Sequence, residues 1–185
     1  MVLLGEMRGE LGGSEYLATI HGEVLGAPPR CDLDLEKKVI DSLLEAIRAG
    51  AVSSAHDCSD GGLAIALAEC CVANLECQSG AEIDLSAWGS IPNRGVLFGE
   101  TQGRIVISSS APERVLEIAV KAGVPCARIG TVRLNSDSLA IKLASSALKA
   151  PLRRLRRAYH DTIPSLMSRA PEHTTFDELA PVAAH

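Results

Sequence analysis

Aromatic residues are almost absent: one Trp, two Tyr and two Phe make up 3% of the 185 residues. Single-stranded nucleic acid binds by stacking its bases on aromatic faces, and such a platform finds little material here. The net charge of −5 offers no attraction to a phosphate backbone or an anionic bilayer. No stretch approaches the roughly 18 consecutive apolar residues of a membrane span. A charged segment followed by an apolar run is missing at the N-terminus, so no secretory signal is read. The six cysteines (Cys31, Cys58, Cys70, Cys71, Cys77 and Cys126) form no CxxC pair. That pattern excludes a disulfide framework and the usual zinc spacing, and it fits reduced, packed thiols in a cytoplasmic protein. His21, His160, His173 and His185 are not at ligand-like spacing, and no metal site is read from them. A P-loop, a GxGxxG fingerprint and a nucleophile–base pair are also missing, so no catalytic residue is assigned.

What remains is an ordinary globular composition, 46% hydrophobic and 22% charged. With so few aromatics the core must rest on Leu, Ile, Val and Ala. A chain of this length buries about 70% of its unfolded surface, enough for one domain to fold alone. The apolar run at 1–4 reads as a strand, and the glycines at 12–13 as a turn into a short helix with Ser14 near its start. Leu35, Val39, Ile40, Leu43, Leu44 and Ile47 predict a helix over 35–49, capped by Asp32 or Asp34 and stopped by Gly50. Residues 52–57 read as a buried strand, and 63–75 as a second helix. Strands are expected at 81–85, 96–100, 104–108, 124–132 and 139–143. Ser110 and Glu113 stand at capping-box spacing before a helix that ends at Gly123. A final helix over 147–159 carries Arg153, Arg154, Arg156 and Arg157, which read as a solvated basic face. Beyond Pro164 no period survives, so the domain is placed at 1–160 and a partly mobile tail at 161–185. Alternating helices and strands argue for an α/β domain, a mixed sheet covered by helices.

Two segments carry possible chemistry. The first, His56-Asp57-Cys58-Ser59-Asp60-Gly61-Gly62, runs from a strand through a tight loop into a helix N-terminus. Free amides and the helix dipole there favour an anion, and two glycines permit close approach of a phosphate. Asp57 and Asp60 oppose a bare anion unless a metal ion or a sugar hydroxyl intervenes. The plainer reading has Ser59 or Asp60 capping the helix, the glycines making the turn and His56 bonded within the core. In the second segment, Glu100, Gln102 and Arg104 are placed to line a cleft at a strand end. A polar hairpin turn with solvated charges is the plainer reading, and residue mechanics alone favour it.

The wording of these segments goes further. Residues 11–17 (Leu-Gly-Gly-Ser-Glu-Tyr-Leu), 54–63 (Ser-Ala-His-Asp-Cys-Ser-Asp-Gly-Gly-Leu), 97–104 (Leu-Phe-Gly-Glu-Thr-Gln-Gly-Arg) and 129–132 (Ile-Gly-Thr-Val) occur in that order. Together they resemble the C-terminal, AIR-synthase-like domain of the phosphoribosylformylglycinamidine synthase family, over roughly residues 2–158. The resemblance implies the AIR-synthase C-terminal fold and a part in de novo purine biosynthesis. There formylglycinamide ribonucleotide, ATP and glutamine-derived ammonia give formylglycinamidine ribonucleotide, ADP and phosphate. It implies ATP and Mg²⁺ as cofactors of the whole enzyme, held mainly by N-terminal domains of the same polypeptide, and a glutaminase partner. His56, Asp57, Ser59, Asp60, Gly61 and Gly62 would then form a nucleotide or phosphate loop. Met1 is expected to lie inside a longer polypeptide, and the chain alone is expected to be inactive. Surface that those domains would cover is expected to drive self-association. A domain of a selenophosphate synthetase or hydrogenase-maturation relative, or a non-catalytic binding module of this fold, are the alternatives.

Overall fold

The computed structural model describes residues 1–75 and 79–168. Its strands form two four-stranded sheets. The first contains β1 (Val2–Leu4), β2 (Ser54–Asp57), β4 (Ile105–Ser108) and β5 (Cys126–Arg128), in the order β2-β4-β1-β5, with every pairing antiparallel. The second contains β3 (Ser79–Asp84), β6 (Gly130–Leu134), β7 (Ser138–Lys142) and β8 (Ala147–Pro151), in the order β6-β3-β7-β8. Here β3 and β7 run parallel while the other pairs are antiparallel, so this sheet is the mixed one.

Alternation along β1 explains how the first sheet is covered on both faces. Val2 and Leu4 point to one side, where they meet Val39 and Ala46 of α1 (Leu33–Arg48) and Val115, Ile118 and Ala119 of α4 (Pro112–Ala122). Leu3 and Val106 point to the other side, against Leu63, Ala66 and Leu67 of α2 (Gly62–Val72). The same cluster takes in Ile83, Leu139 and Ile141 of the second sheet, so α2 lies within the larger core. Leu, Ile, Val and Ala dominate both clusters, as the aromatic-poor composition requires.

The helix expected at 35–49 is α1, with the Leu35 amide donating to Asp32 at 3.1 Å and Gly50 left-handed at φ 68°. Other expectations need correction. Residues 52–57 do not form a buried strand, because β2 is a sheet edge and only His56 in it is even half-buried. Residues 96–100 are not a strand: α3 (Asn93–Phe98), its start set by Pro92 at the N-cap, takes up 96–98, and 99–100 belong to the loop after it. Ser110 does not cap α4, whose N-cap is Ala111; the Ser109 hydroxyl accepts from the Ala111 amide instead. The final helix begins only after Pro151, as α5 (Leu152–His160), because 147–151 pair with β7. A further helix, α6 (Thr162–Ser168), runs past Pro164. Proline is tolerated there because first-turn amides have no intrahelical acceptor. Cys77, His173, His185 and residues 169–185 of the expected tail lie outside the described residues.

Candidate functional site

The two singled-out segments meet because β2 pairs with β4. Asp57 lies opposite Ile105, and beyond the ladder the Cys58 amide donates to the Arg104 carbonyl at 2.8 Å. The loop at 58–61 and the loop at 99–104 are thereby held side by side. Between them and α1 opens a cleft of about 400 Å³, lined by Glu36, Ile40, Asp57, Ser59, Asp60, Glu100, Gln102 and the edge of Arg104.

Each side chain has a definite place. His56 sits outside the cleft lining, with Nε2 3.0 Å from Glu69 on α2 and Nδ1 3.5 Å from Asp57. Asp57 accepts from the Ser59 hydroxyl, and that bond is the main cause holding its carboxyl below the usual range. Cys58 is buried, which pushes its thiol up to about 11, so it stays protonated at neutral pH and is no nucleophile. Asp60 lines the cleft and is exposed. Neither Ser59 nor Asp60 caps α2: the N-cap is Gly61, and no side chain of its own segment bonds there.

The cap comes from 39 residues downstream. Glu100 Oε1 accepts the Gly61 amide at 2.8 Å, and the same oxygen accepts the Glu15 amide at 2.9 Å. A carboxylate of the protein thus stands where an anion would dock on the helix terminus. The Gly62 amide is also engaged, donating to the Ser59 carbonyl at 3.0 Å. The glycines do permit a close backbone approach, but by the chain itself. A Cβ on Gly62 (φ 69°) would lie 2.5 Å from the Gly99 carbonyl oxygen.

Arg104 is 1% exposed and points inward. Its Nε donates to the Thr101 carbonyl at 2.9 Å, Nη2 to the Gly99 carbonyl at 2.5 Å and Nη1 to Met7 Sδ at 3.4 Å. The guanidinium therefore shapes the loop; burial lowers its pKa, yet an arginine remains charged. Gln102 is exposed and donates to the Glu100 carbonyl at 3.1 Å. The groups left facing the cleft are Glu36, Asp57, Asp60 and Glu100, an acidic set.

This arrangement does not fit the phosphates of ATP, since both glycine amides are taken and the facing charge is negative. A Mg²⁺ site does not fit either. Among the described residues, no three His, Cys, Asp or Glu side chains are grouped to hold a metal.

The model of the AIR synthase related protein, C-terminal domain, matches residues 1–139, three quarters of the chain. This chain belongs to that family. Among curated relatives, the phosphoribosylformylglycinamidine synthase subunit PurL of Anaeromyxobacter sp. is 40% identical over 97% of the chain. That match takes up 24% of the relative, so the chain spans about a quarter of the length of the protein it resembles. In fold, the chain is similar to T. maritima PurL complexed with ATP, at a TM-score of 0.63 and 22% identity, over 84% of this chain and 25% of that one. It is similar to T. maritima PurL complexed with FGAR at a TM-score of 0.65 and 20% identity, over 84% of this chain and 27% of that one.

Within this AIR synthase related domain, sequence reasoning missed a second feature beside the cleft. Tyr16 stacks on Phe98 with centroids 5.2 Å apart, and His21 meets Tyr16 edge-on at 5.6 Å. Tyr16 and Phe98, with Ile20, Ile65 and Gly61, line an apolar hollow of about 400 Å³. Glu15 was missed as well, although its amide shares the Glu100 carboxylate. Partners 85 residues apart leave no local signal.

Proposed function

We propose that the chain is the C-terminal domain of a phosphoribosylformylglycinamidine synthase, spanning 1–160 with 161–185 as a trailing segment. The whole enzyme would be a cytoplasmic, ATP-dependent C–N ligase of purine biosynthesis. It would convert formylglycinamide ribonucleotide and ammonia to formylglycinamidine ribonucleotide. The observation that carries this reading is the 40% identity to the PurL subunit, sustained over 97% of the chain but only 24% of the relative. ATP, Mg²⁺ and the catalytic groups then belong to other domains of the same polypeptide, and a glutaminase partner supplies ammonia. In this reading the loops at 57–62 and 99–104 form a joint that sets the cleft wall, with Glu100 in the place of a bound anion. The chain alone is inactive.

The test is a chimera. The matching quarter of the Anaeromyxobacter subunit is replaced by this chain, and ADP formation is followed with ATP, ammonia and formylglycinamide ribonucleotide. Substrate-dependent ADP formation is expected from the chimera and none from the chain alone. A folded, soluble chimera without activity, or turnover by the 185-residue chain, overturns the proposal.

A further inference from the structure

Helix α1 is apolar on two sides. Val39, Ser42 and Ala46 are buried against the sheet. Leu33, Ile40, Leu44 and Ile47 are 77%, 51%, 41% and 47% exposed. Steps of seven, four and three residues put these four on one stripe, well away from the buried side. At about 1.5 Å per residue the stripe is about 21 Å long. A single exposed leucine is ordinary surface, but an aligned row of four is a helix seam without its neighbour.

Charge along the stripe indicates what covers it. Asp34, Lys37, Asp41, Glu45 and Arg48 all follow the same flank of the stripe at helical spacing. When two copies of one helix pack antiparallel, like flanks face each other across the seam. Asp34 then faces Arg48 of the partner subunit, and Lys37 faces Glu45 of the partner subunit, each pair occurring twice. Asp41 falls at the two-fold axis, where its own Lys37 at 2.5 Å already balances it. Asp34, Glu45 and Arg48 enter no ion pair within the chain among the described residues.

We propose that a second copy of this chain covers the α1 stripe, the two helices packing antiparallel about a two-fold axis. The contact is a helix seam with charged rims, and it borders the cleft at 57–62, since Ile40 lines both. One stripe falls short of a standard interface of about 800 Å² per partner, so a reversible dimer is expected.

Sedimentation equilibrium of the 185-residue chain over a micromolar concentration series tests this, with far-UV circular dichroism to verify folding of each variant. The wild-type chain is expected to dimerise, and Leu44→Glu to weaken association by about tenfold or more. Glu45→Lys is expected to weaken it too, and the double exchange Lys37→Glu with Glu45→Lys to restore it, since each charge then meets its opposite again. A chain that stays monomeric throughout overturns the proposal, as does association indifferent to Leu44→Glu. Failure of the double exchange to rescue overturns the antiparallel pairing. In a longer polypeptide that contains this chain, a monomer whose Ile40→Cys thiol is protected from alkylation would assign the stripe to another domain and overturn the two-copy reading there.

Discussion

Glu100 holds three segments together, and removing its carboxylate measures that role. It accepts the amides of Gly61 at the start of α2 and of Glu15 in the upstream loop. In Glu100→Ala the half-buried Gly61 amide loses its acceptor, which costs about 1 to 3 kcal/mol. Loss of a negative charge beside a helix N-terminus adds about 0.3 to 1 kcal/mol. The Glu15 bond is exposed, so water replaces it at little cost. The total is about 2.5 kcal/mol. Glu100→Gln keeps an acceptor oxygen and gives up the charge, for about 1 kcal/mol. Urea unfolding followed by far-UV circular dichroism reads both, and with an m value of about 2 kcal/mol/M the Ala variant shifts the midpoint down by about 1 M. The order wild type, Gln, Ala is the signature of a carboxylate cap. If Glu100→Ala unfolds within about 0.5 kcal/mol of wild type, the remote cap contributes nothing and the reasoning fails.

Gly62→Ala puts a Cβ 2.5 Å from the Gly99 carbonyl at a left-handed φ; a loss of about 2 to 4 kcal/mol is expected in the same unfolding assay. Arg104→Met leaves the Gly99 and Thr101 carbonyls without their donor and removes the positive charge near Glu10 and Glu100. It should cost about 3 kcal/mol, and Arg104→Lys, which cannot reproduce the fork, should rescue it only in part. The Cys58 thiol makes stability pH-dependent in the alkaline range. Burial raises its folded pKa from 9.0 to about 11, so the unfolded chain loses this proton first. Its contribution is full below pH 9 and is lost as pH rises toward 11, about 2 to 3 kcal/mol at most. Cys58→Ala should flatten that alkaline decline in denaturation midpoints measured from pH 8 to 11, and an unchanged slope would count against the assignment.

Much of this was legible in the sequence, and the misses have physical causes. α1 was readable because Asp32 caps it, Gly50 ends it and a long period lies between. The run Val96-Leu97-Phe98 was misread as a strand because three apolar residues carry no period, whereas Pro92 was the usable sign of a helix start. β8 was absorbed into the arginine-rich helix behind it, although Pro151 marks the boundary. At the cleft, the sequence nominated both loops, and strand pairing brings them together. The role of Glu100 was not legible, since Gly61 and Glu15 reach it only through the fold. Nor did the double glycine reveal that the backbone closing on it is that of Phe98 and Gly99.

The central claim is that the joint at 57–62 and 99–104 is filled by the protein's own carboxylate, so that this chain offers no nucleotide site there. Titration calorimetry of the 185-residue chain with Mg·ADP, and separately with formylglycinamide ribonucleotide, tests it most directly. The account predicts no binding heat with either. Saturable heat that disappears in Asp60→Ala would contradict it and make the loop a working ligand site.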